Sequence, residues 1–425
     1  MIFSLPTLLL ISAVVATDTV VADDLDTRVN PVLESSAAPR TVSPARYPFL
    51  NLAADTIAMN GADWSDLATM LQDAGRGDTT VSIVHIGDSH VQADANTARV
   101  RQHLQDEYGD AGRGLIAPLK IARTNQPLDY YITTTTPVTT ATLLKMPWPV
   151  QMGFTGVAVK PNGNGDARFN IQVKKPFDVI NIYADQPVHV LSVMSGKSRM
   201  AFTCNPKPWG AEVVMSRPMV NASIDIEGSN YILYGFDLRK AGAHGVLYHN
   251  IGNNGAAYGT YTMIDGMGQG VANLAPQLVI ISLGANEAYG RITDEAFKTS
   301  MTALINEIRR YNPDAKILLT TPQESQRSVY TRRRGRKRKG RRRLVTSRTY
   351  RVNSNVARLR NDIIEYGREH NIPVFDFYQV AGGAGSSEKW VKSGLMSNDR
   401  IHRTWTGYYL EGDLLHRALT KSLKL

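Results

Sequence analysis

The rhythm of hydrophobic and polar positions changes twice along this chain, and the changes divide it into parts. Val81-Ser82-Ile83-Val84-His85-Ile86 is a β-branched apolar run of the kind buried in a sheet. Trp64, Leu67, Met70 and Leu71 precede it at helical spacing, with a glycine stop at Gly75 and Gly77. A helix over about 93–108 follows, and the glycine-rich stretch onward to about 123 reads as loop. Between about 124 and 243 the pattern becomes short and alternating, as in Tyr130-Tyr131-Ile132-Thr133, Phe169-Asn170-Ile171-Gln172-Val173, Val179-Ile180-Asn181-Ile182-Tyr183, Ala222-Ser223-Ile224-Asp225-Ile226 and Tyr231-Ile232-Leu233-Tyr234. Turn signals such as Pro161-Asn162-Gly163-Asn164-Gly165 separate these runs. Period-two patterning with frequent turns predicts an all-β sandwich.

From Val246 onward an α/β rhythm returns. Strands predicted over 246–249, 278–283, 316–321 and 373–377 alternate with helices over 256–271, 294–311, 356–370 and 404–419. That alternation argues for a parallel sheet covered by helices on both faces. The fold class is therefore α/β, a three-layer α/β/α domain with an all-β sandwich inserted after its first strand. The expected division is a signal peptide over 1–22, a linker over 23–50, the two parts of the α/β domain over 51–123 and 244–425, and the β insert over 124–243.

Composition refines this picture in two places. The apolar stretch 2–15, with small residues at Ala13, Ala16 and Ala22, predicts export, although no Lys or Arg precedes it. No later segment is apolar enough to span a bilayer, and Cys204 is the only cysteine, so no intrachain disulfide forms. A periplasmic protein fits both facts. The net charge of +10 is local: residues 327–351 hold thirteen Lys or Arg and no acid, leaving the remainder slightly acidic. This basic loop reads as a solvated, self-repelling segment. Export and the lack of interleaved aromatics argue against nucleic acid.

Candidate chemistry sits at predicted strand ends. Gly87-Asp88-Ser89-His90 ends the first apolar run at a sharp turn that presents a serine. Asp399 and His402, three apart before the last helix, can supply a base and the carboxylate that orients it. Gly255, in Asn253-Asn254-Gly255-Ala256, opens a helix with a backbone N–H that can face a developing oxyanion. Asn286, in Gly284-Ala285-Asn286-Glu287, offers a carboxamide donor for the same purpose. No His, Cys, Asp or Glu cluster has metal-ligand spacing, so the expected site is free of metal and cofactor.

The order Ser, Gly, Asn, Asp-x-x-His resembles the four blocks of the SGNH (GDSL-type) hydrolase superfamily. More narrowly, the chain is similar to the periplasmic peptidoglycan O-acetylesterases of Gram-negative bacteria, which carry a β-sandwich of carbohydrate-binding-module type inside the SGNH domain. Besides those blocks, Tyr108-Gly109-Asp110-Ala111-Gly112-Arg113-Gly114, the 251–256 turn, Gly382-Gly383, Trp390, Gly394 and Leu395 carry the likeness. The resemblance implies Ser89 as nucleophile, His402 as base and Asp399 as its orienter, with Ser89, Gly255 and Asn286 forming the oxyanion hole. Asp88, His90, Arg113, Asn254 and Glu287 are the expected substrate contacts.

The expected activity is removal of O-acetyl groups from a cell-wall glycan, peptidoglycan first. An esterase or O-acetyltransferase acting on another acetylated polysaccharide remains open, as does a non-catalytic glycan-binding role. The basic loop leaves the sheet on the same edge as Ser89. Arg332, Arg333, Arg334, Lys337, Arg341 and Arg342 are therefore expected to hold an anionic polymer near the site.

Overall fold

A computed structural model describes residues 42–338 and 341–424. The signal-peptide region, the linker up to residue 41 and two residues of the basic segment lie outside them. Six strands form the central sheet in the order Ile57–Ala58, Val374–Phe375, Lys316–Thr320, Leu278–Ser282, Thr80–Gly87, Gly245–Gly252. All neighbours are parallel except Ile57–Ala58 against Val374–Phe375. Parallel strands need crossovers, and the helical segments between them cover both faces.

Alternation along Thr80–Gly87 assigns the two faces. Val84 and Ile86 pack with Ile251, Val279 and Ile281 beneath Tyr258, Phe297, Leu304 and Ile363. Val81 and Ile83 point the other way, into a core with Leu67, Leu71, Val100, Leu104, Leu414 and Leu415. The fully buried Trp390 belongs to this second core, and its indole N–H donates to the Ala381 carbonyl at 2.8 Å.

The inserted region is antiparallel, and one sheet folds back on itself to make it. Two long strands, Ala167–Ala184 and Gly210–Ile226, pair along most of their length, with register shifts around Met219. On its other side Ala167–Ala184 pairs first with Tyr130–Thr134 and then with Leu233–Arg239. The halves thus face each other across a core in which the Phe169 and Phe236 rings meet edge to face at 6.1 Å. The runs around Phe169 and Val179, read separately from sequence, are one bent strand.

Four other expectations need correction. Gly112–Ile116 is a strand paired with Leu233–Arg239, not loop, and it ties the insert to the central sheet through Leu115 N–H donating to His249 Nδ1 at 3.1 Å. The predicted 256–271 helix is two short ones, Tyr258–Tyr261 and Met267–Ala272, because Gly266 between them has φ +73°. Within the predicted linker, Tyr47 and Leu50 are buried against the second core, so residues 42–50 belong to the folded body. The basic loop is a hairpin, Gln326–Arg338 against Arg341–Val352. Cross-strand pairing satisfies its backbone groups, which composition alone could not reveal.

Candidate active site

Register places the candidate residues at one edge of the sheet. Gly87 lies opposite both Gly252 and Ser282, so three adjacent strands end level and their following loops meet. The chain turns at once from Gly87 into the single helical turn Ser89–Gln92. Glycine is needed for close approach rather than for an unusual φ: a Cβ there would lie 2.3 Å from Val91 Cγ2 and 2.9 Å from the Ser282 carbonyl. Asp88 caps this turn, its Oδ1 accepting from the His90 N–H at 2.9 Å.

Ser89 Oγ lies 2.9 Å from His402 Nε2, and His402 Nδ1 lies 2.7 Å from Asp399 Oδ2. The other Asp399 oxygen accepts from the N–H groups of Ile401 and His402 at 2.8 and 2.9 Å and from Ser397 Oγ at 2.7 Å. Burial would raise the Asp399 pKa, but the hydrogen bonds from His402, Ser397 and Ile401 win and hold it well below the usual carboxylate range. An ionised Asp399 accepting from Nδ1–H leaves the Nε2 lone pair facing the serine hydroxyl. The side chains of His402 and Asp399 are 40% and 43% exposed, so the pair opens to solvent and to a large substrate.

Two more donor groups lie on the turns that follow neighbouring strands. Gly255 sits at φ +77°, and neither its N–H nor that of Ser89 has a hydrogen-bond partner among the described residues. Asn286 Nδ2 donates to the Ala256 carbonyl at 2.9 Å and leans on Asp88 Oδ2 at 3.3 Å, which brackets it between the Gly255 turn and the Ser89 turn.

Several expected substrate contacts have other work. Arg113 is buried and pairs with Asp94 and Asp129, with Nη1 donating to the Leu115 carbonyl, so it holds the insert's entry rather than substrate. Glu287 is buried and accepts from the N–H groups of Tyr258 and Gly284 at 2.8 and 3.1 Å; burial without a cation pushes its pKa up to about 7. Asp88 is also buried, and its pKa rises to about 6 from burial, opposed by the His90 N–H, Arg403 and His402. Both carboxylates brace the loops through backbone N–H groups, and Asp88 also lines the cavity between the strand-end loops. His90 is half-buried beside His402, ring centroids 5.2 Å apart, and burial with the nearby Arg403 keeps it neutral. Asn254 is exposed, and its Nδ2 donates to Thr124 Oγ1 at 3.4 Å.

Sequence reasoning missed Gln92 and Arg403. Gln92 Oε1 accepts from the Asn254 N–H at 2.5 Å while its Nε2 donates to the Asn125 carbonyl at 2.6 Å, coupling the serine turn, the Gly255 turn and the insert's entry. Arg403 Nη1 donates to His90 Nδ1 at 2.8 Å and pairs with Glu411 at 3.2 Å. The only trace of this in the sequence is that Arg403 directly follows His402 and that Gln92 lies two residues beyond His90.

Known proteins resemble this chain in part of its sequence and in its fold. Residues 232–410 match the GDSL-like lipase/acylhydrolase family, a span that holds Gly255, Asn286, Asp399 and His402 and begins after Ser89. A solved peptidoglycan O-acetylesterase superposes with a TM-score of 0.66 at 18% identity, covering 87% of this chain and 99% of that one. The chain has the fold of an SGNH-type ester hydrolase, and its 232–410 region resembles the GDSL-like acylhydrolases. A lipase/acylhydrolase from Enterococcus faecalis aligns with 42% of this chain and 78% of its own, at 22% identity and a TM-score of 0.30. A lipolytic G-D-S-L protein from Desulfitobacterium hafniense covers 41% and 81%, at 20% identity and TM-score 0.31. Scores that low carry no argument beside the O-acetylesterase superposition. No curated protein matches the sequence. Among the described residues, no helix is long and apolar enough to cross a membrane, and no group of three or more His, Cys, Asp or Glu could hold a metal ion.

Proposed function

We propose that the protein is a serine esterase of the periplasm that removes O-acetyl groups from peptidoglycan. The observation that carries the chemistry is the continuous chain from Ser89 Oγ through His402 to Asp399, at 2.9 and 2.7 Å. Ser89 Oγ attacks the acetyl carbonyl as His402 Nε2 takes its proton, and Asp399 stabilises the imidazolium that forms. The N–H groups of Ser89 and Gly255 and the Asn286 carboxamide receive the oxyanion of the tetrahedral intermediate. As the intermediate collapses, His402 returns the proton to the departing sugar hydroxyl, and the acetyl group stays on Ser89. Water, deprotonated by His402, then attacks the acetyl-enzyme and releases acetate.

The substrate assignment is supported by the superposition on a peptidoglycan O-acetylesterase over 87% of the chain, insert included. The basic hairpin supports it as well. Peptidoglycan carries peptide carboxylates, and Arg332, Arg333, Arg334, Lys337, Arg341 and Arg342 lie on the hairpin's two strands, where they would hold such a polymer. The test is acetate release from O-acetylated peptidoglycan, acetylated xylan and a chromogenic acetate, with Ser89→Ala as control. Preference for peptidoglycan over xylan is expected; equal turnover of the two would leave an esterase with another glycan as its substrate.

A further inference from the structure

The loop that carries Asp399 and His402 contains a conformation that it cannot hold unaided. Arg400, between the two residues, has φ +63°. A non-glycine side chain adopts the left-handed region only where its surroundings fix it. Inside the loop, the Ser397 N–H donates to the His402 carbonyl at 2.8 Å and the Arg400 N–H to the Ser397 carbonyl at 3.0 Å. Everything else that grips Arg400 comes from outside, and most of it from the base of the basic hairpin.

The Gln326 N–H donates to the Arg400 carbonyl at 3.0 Å, and Arg400 Nη1 donates back to Gln326 Oε1 at 2.8 Å and also reaches Glu388. From the returning strand, Tyr350 places its ring 4.1 Å under the Arg400 guanidinium, and its hydroxyl donates to the Asn398 carbonyl at 2.9 Å. A ring that stacks on one residue while hydrogen-bonding its neighbour's backbone fixes both position and orientation. The same base also reaches the other side of the site. Arg327 Nη2 donates to the Ala288 carbonyl and stacks on Tyr289, whose hydroxyl donates to the Gln326 carbonyl at 3.2 Å, just beyond Asn286.

We propose that the hairpin base is a clamp for the catalytic loops, and that Tyr350 is a positioning residue that sets His402 against Ser89 through Arg400 and Asn398. This rests on Ser89, His402 and Asp399 acting as the proposed triad. It separates two parts of the hairpin: the arginine-rich tip serves the polymer, and the base serves turnover of any ester, however small. Tyr350 touches none of the reacting atoms, so its effect must appear in kcat rather than in substrate binding.

The experiment measures kcat and KM on a small neutral acetate ester for the parent enzyme, Tyr350→Ala, Tyr350→Phe and Tyr330→Ala. Tyr330 lies on the same hairpin, is exposed, and bonds to neither catalytic loop. Tyr350→Ala should lower kcat by about ten- to a hundredfold, the scale of a small misplacement of reacting groups, with KM within about twofold. Tyr350→Phe keeps the stack and should recover part of that loss, while Tyr330→Ala should stay near the parent. Circular dichroism of each variant identifies any loss of fold, and the Phe variant carries the test if the Ala variant does not fold. A folded Tyr350→Ala with parental kcat, or one altered in KM alone, overturns the clamp. Should the parent itself fail to hydrolyse the ester, the triad reading falls first.

Discussion

Asn286 and Glu287 are sequence neighbours with different surroundings, and the difference lies in the groups that each side chain meets. Asn286 has one N–H committed to the Ala256 carbonyl and a second held only by the long contact to Asp88, so it can turn that second donor to an oxyanion. Asn286→Ala should lower kcat about 10²- to 10³-fold with little change in KM, measured on a chromogenic acetate. Glu287 instead ties the Tyr258 and Gly284 N–H groups together from a buried position. Its folded pKa of about 7 exceeds the ordinary 4.5, so its protonated form stabilises the fold below about pH 4.5, and that contribution is lost as pH rises through 7. Glu287→Gln should therefore melt lower than the parent at pH 5, with the gap narrowing toward pH 8; a constant gap would contradict the assignment. Asn286 and Ser89 could be named from the sequence because each follows a glycine at the end of an apolar strand. The duties of Glu287 and Arg113 could not, since a carboxylate or guanidinium beside a motif looks the same whether it meets substrate or a buried partner.

At the scale of elements, strong periodicity was legible and pairing was not. The helix expected over 294–311 is Asp294–Tyr311, and the strand expected over 316–321 is Lys316–Thr320. Both rest on local patterning that packing reinforces. The hairpin was missed because charge dominates its composition, whereas its structure depends on cross-strand hydrogen bonds between Gln326–Arg338 and Arg341–Val352. Removing residues 332–343 and closing the turn should reduce turnover of O-acetylated peptidoglycan far more than turnover of a small neutral ester. The polymer effect should shrink as salt rises, because screening weakens charge attraction over a Debye length of about 8 Å at physiological ionic strength. Equal losses on both substrates, measured as kcat/KM, would remove the tip from polymer capture.

Across the whole molecule, insert and α/β domain are joined by shared apolar surface rather than by a linker. Phe154 and Tyr183 from the insert meet edge to face at 5.4 Å within the core that also holds Ile281 and Phe297. Gly270 lets Phe154 in so closely that a Cβ there would lie 2.3 Å from the Phe154 Cβ. The patterning revealed an all-β insert but not this docking, because alternation says which side of a strand is buried and not against what. Unfolding should accordingly show one cooperative calorimetric transition, with Phe154→Ala costing about 3–5 kcal/mol; two separate transitions would mean that the insert is an independent unit. The same fold brings Ser89 to a histidine 313 residues away, and the central claim is that this pairing makes Ser89 a nucleophile. The most direct measurement is the intact mass and peptide map of enzyme quenched during turnover of an acetate ester. One acetyl group on Ser89, absent from Ser89→Ala and from His402→Ala, is the predicted result. Acetyl on any other residue, or undiminished acetate release by Ser89→Ala, would contradict it.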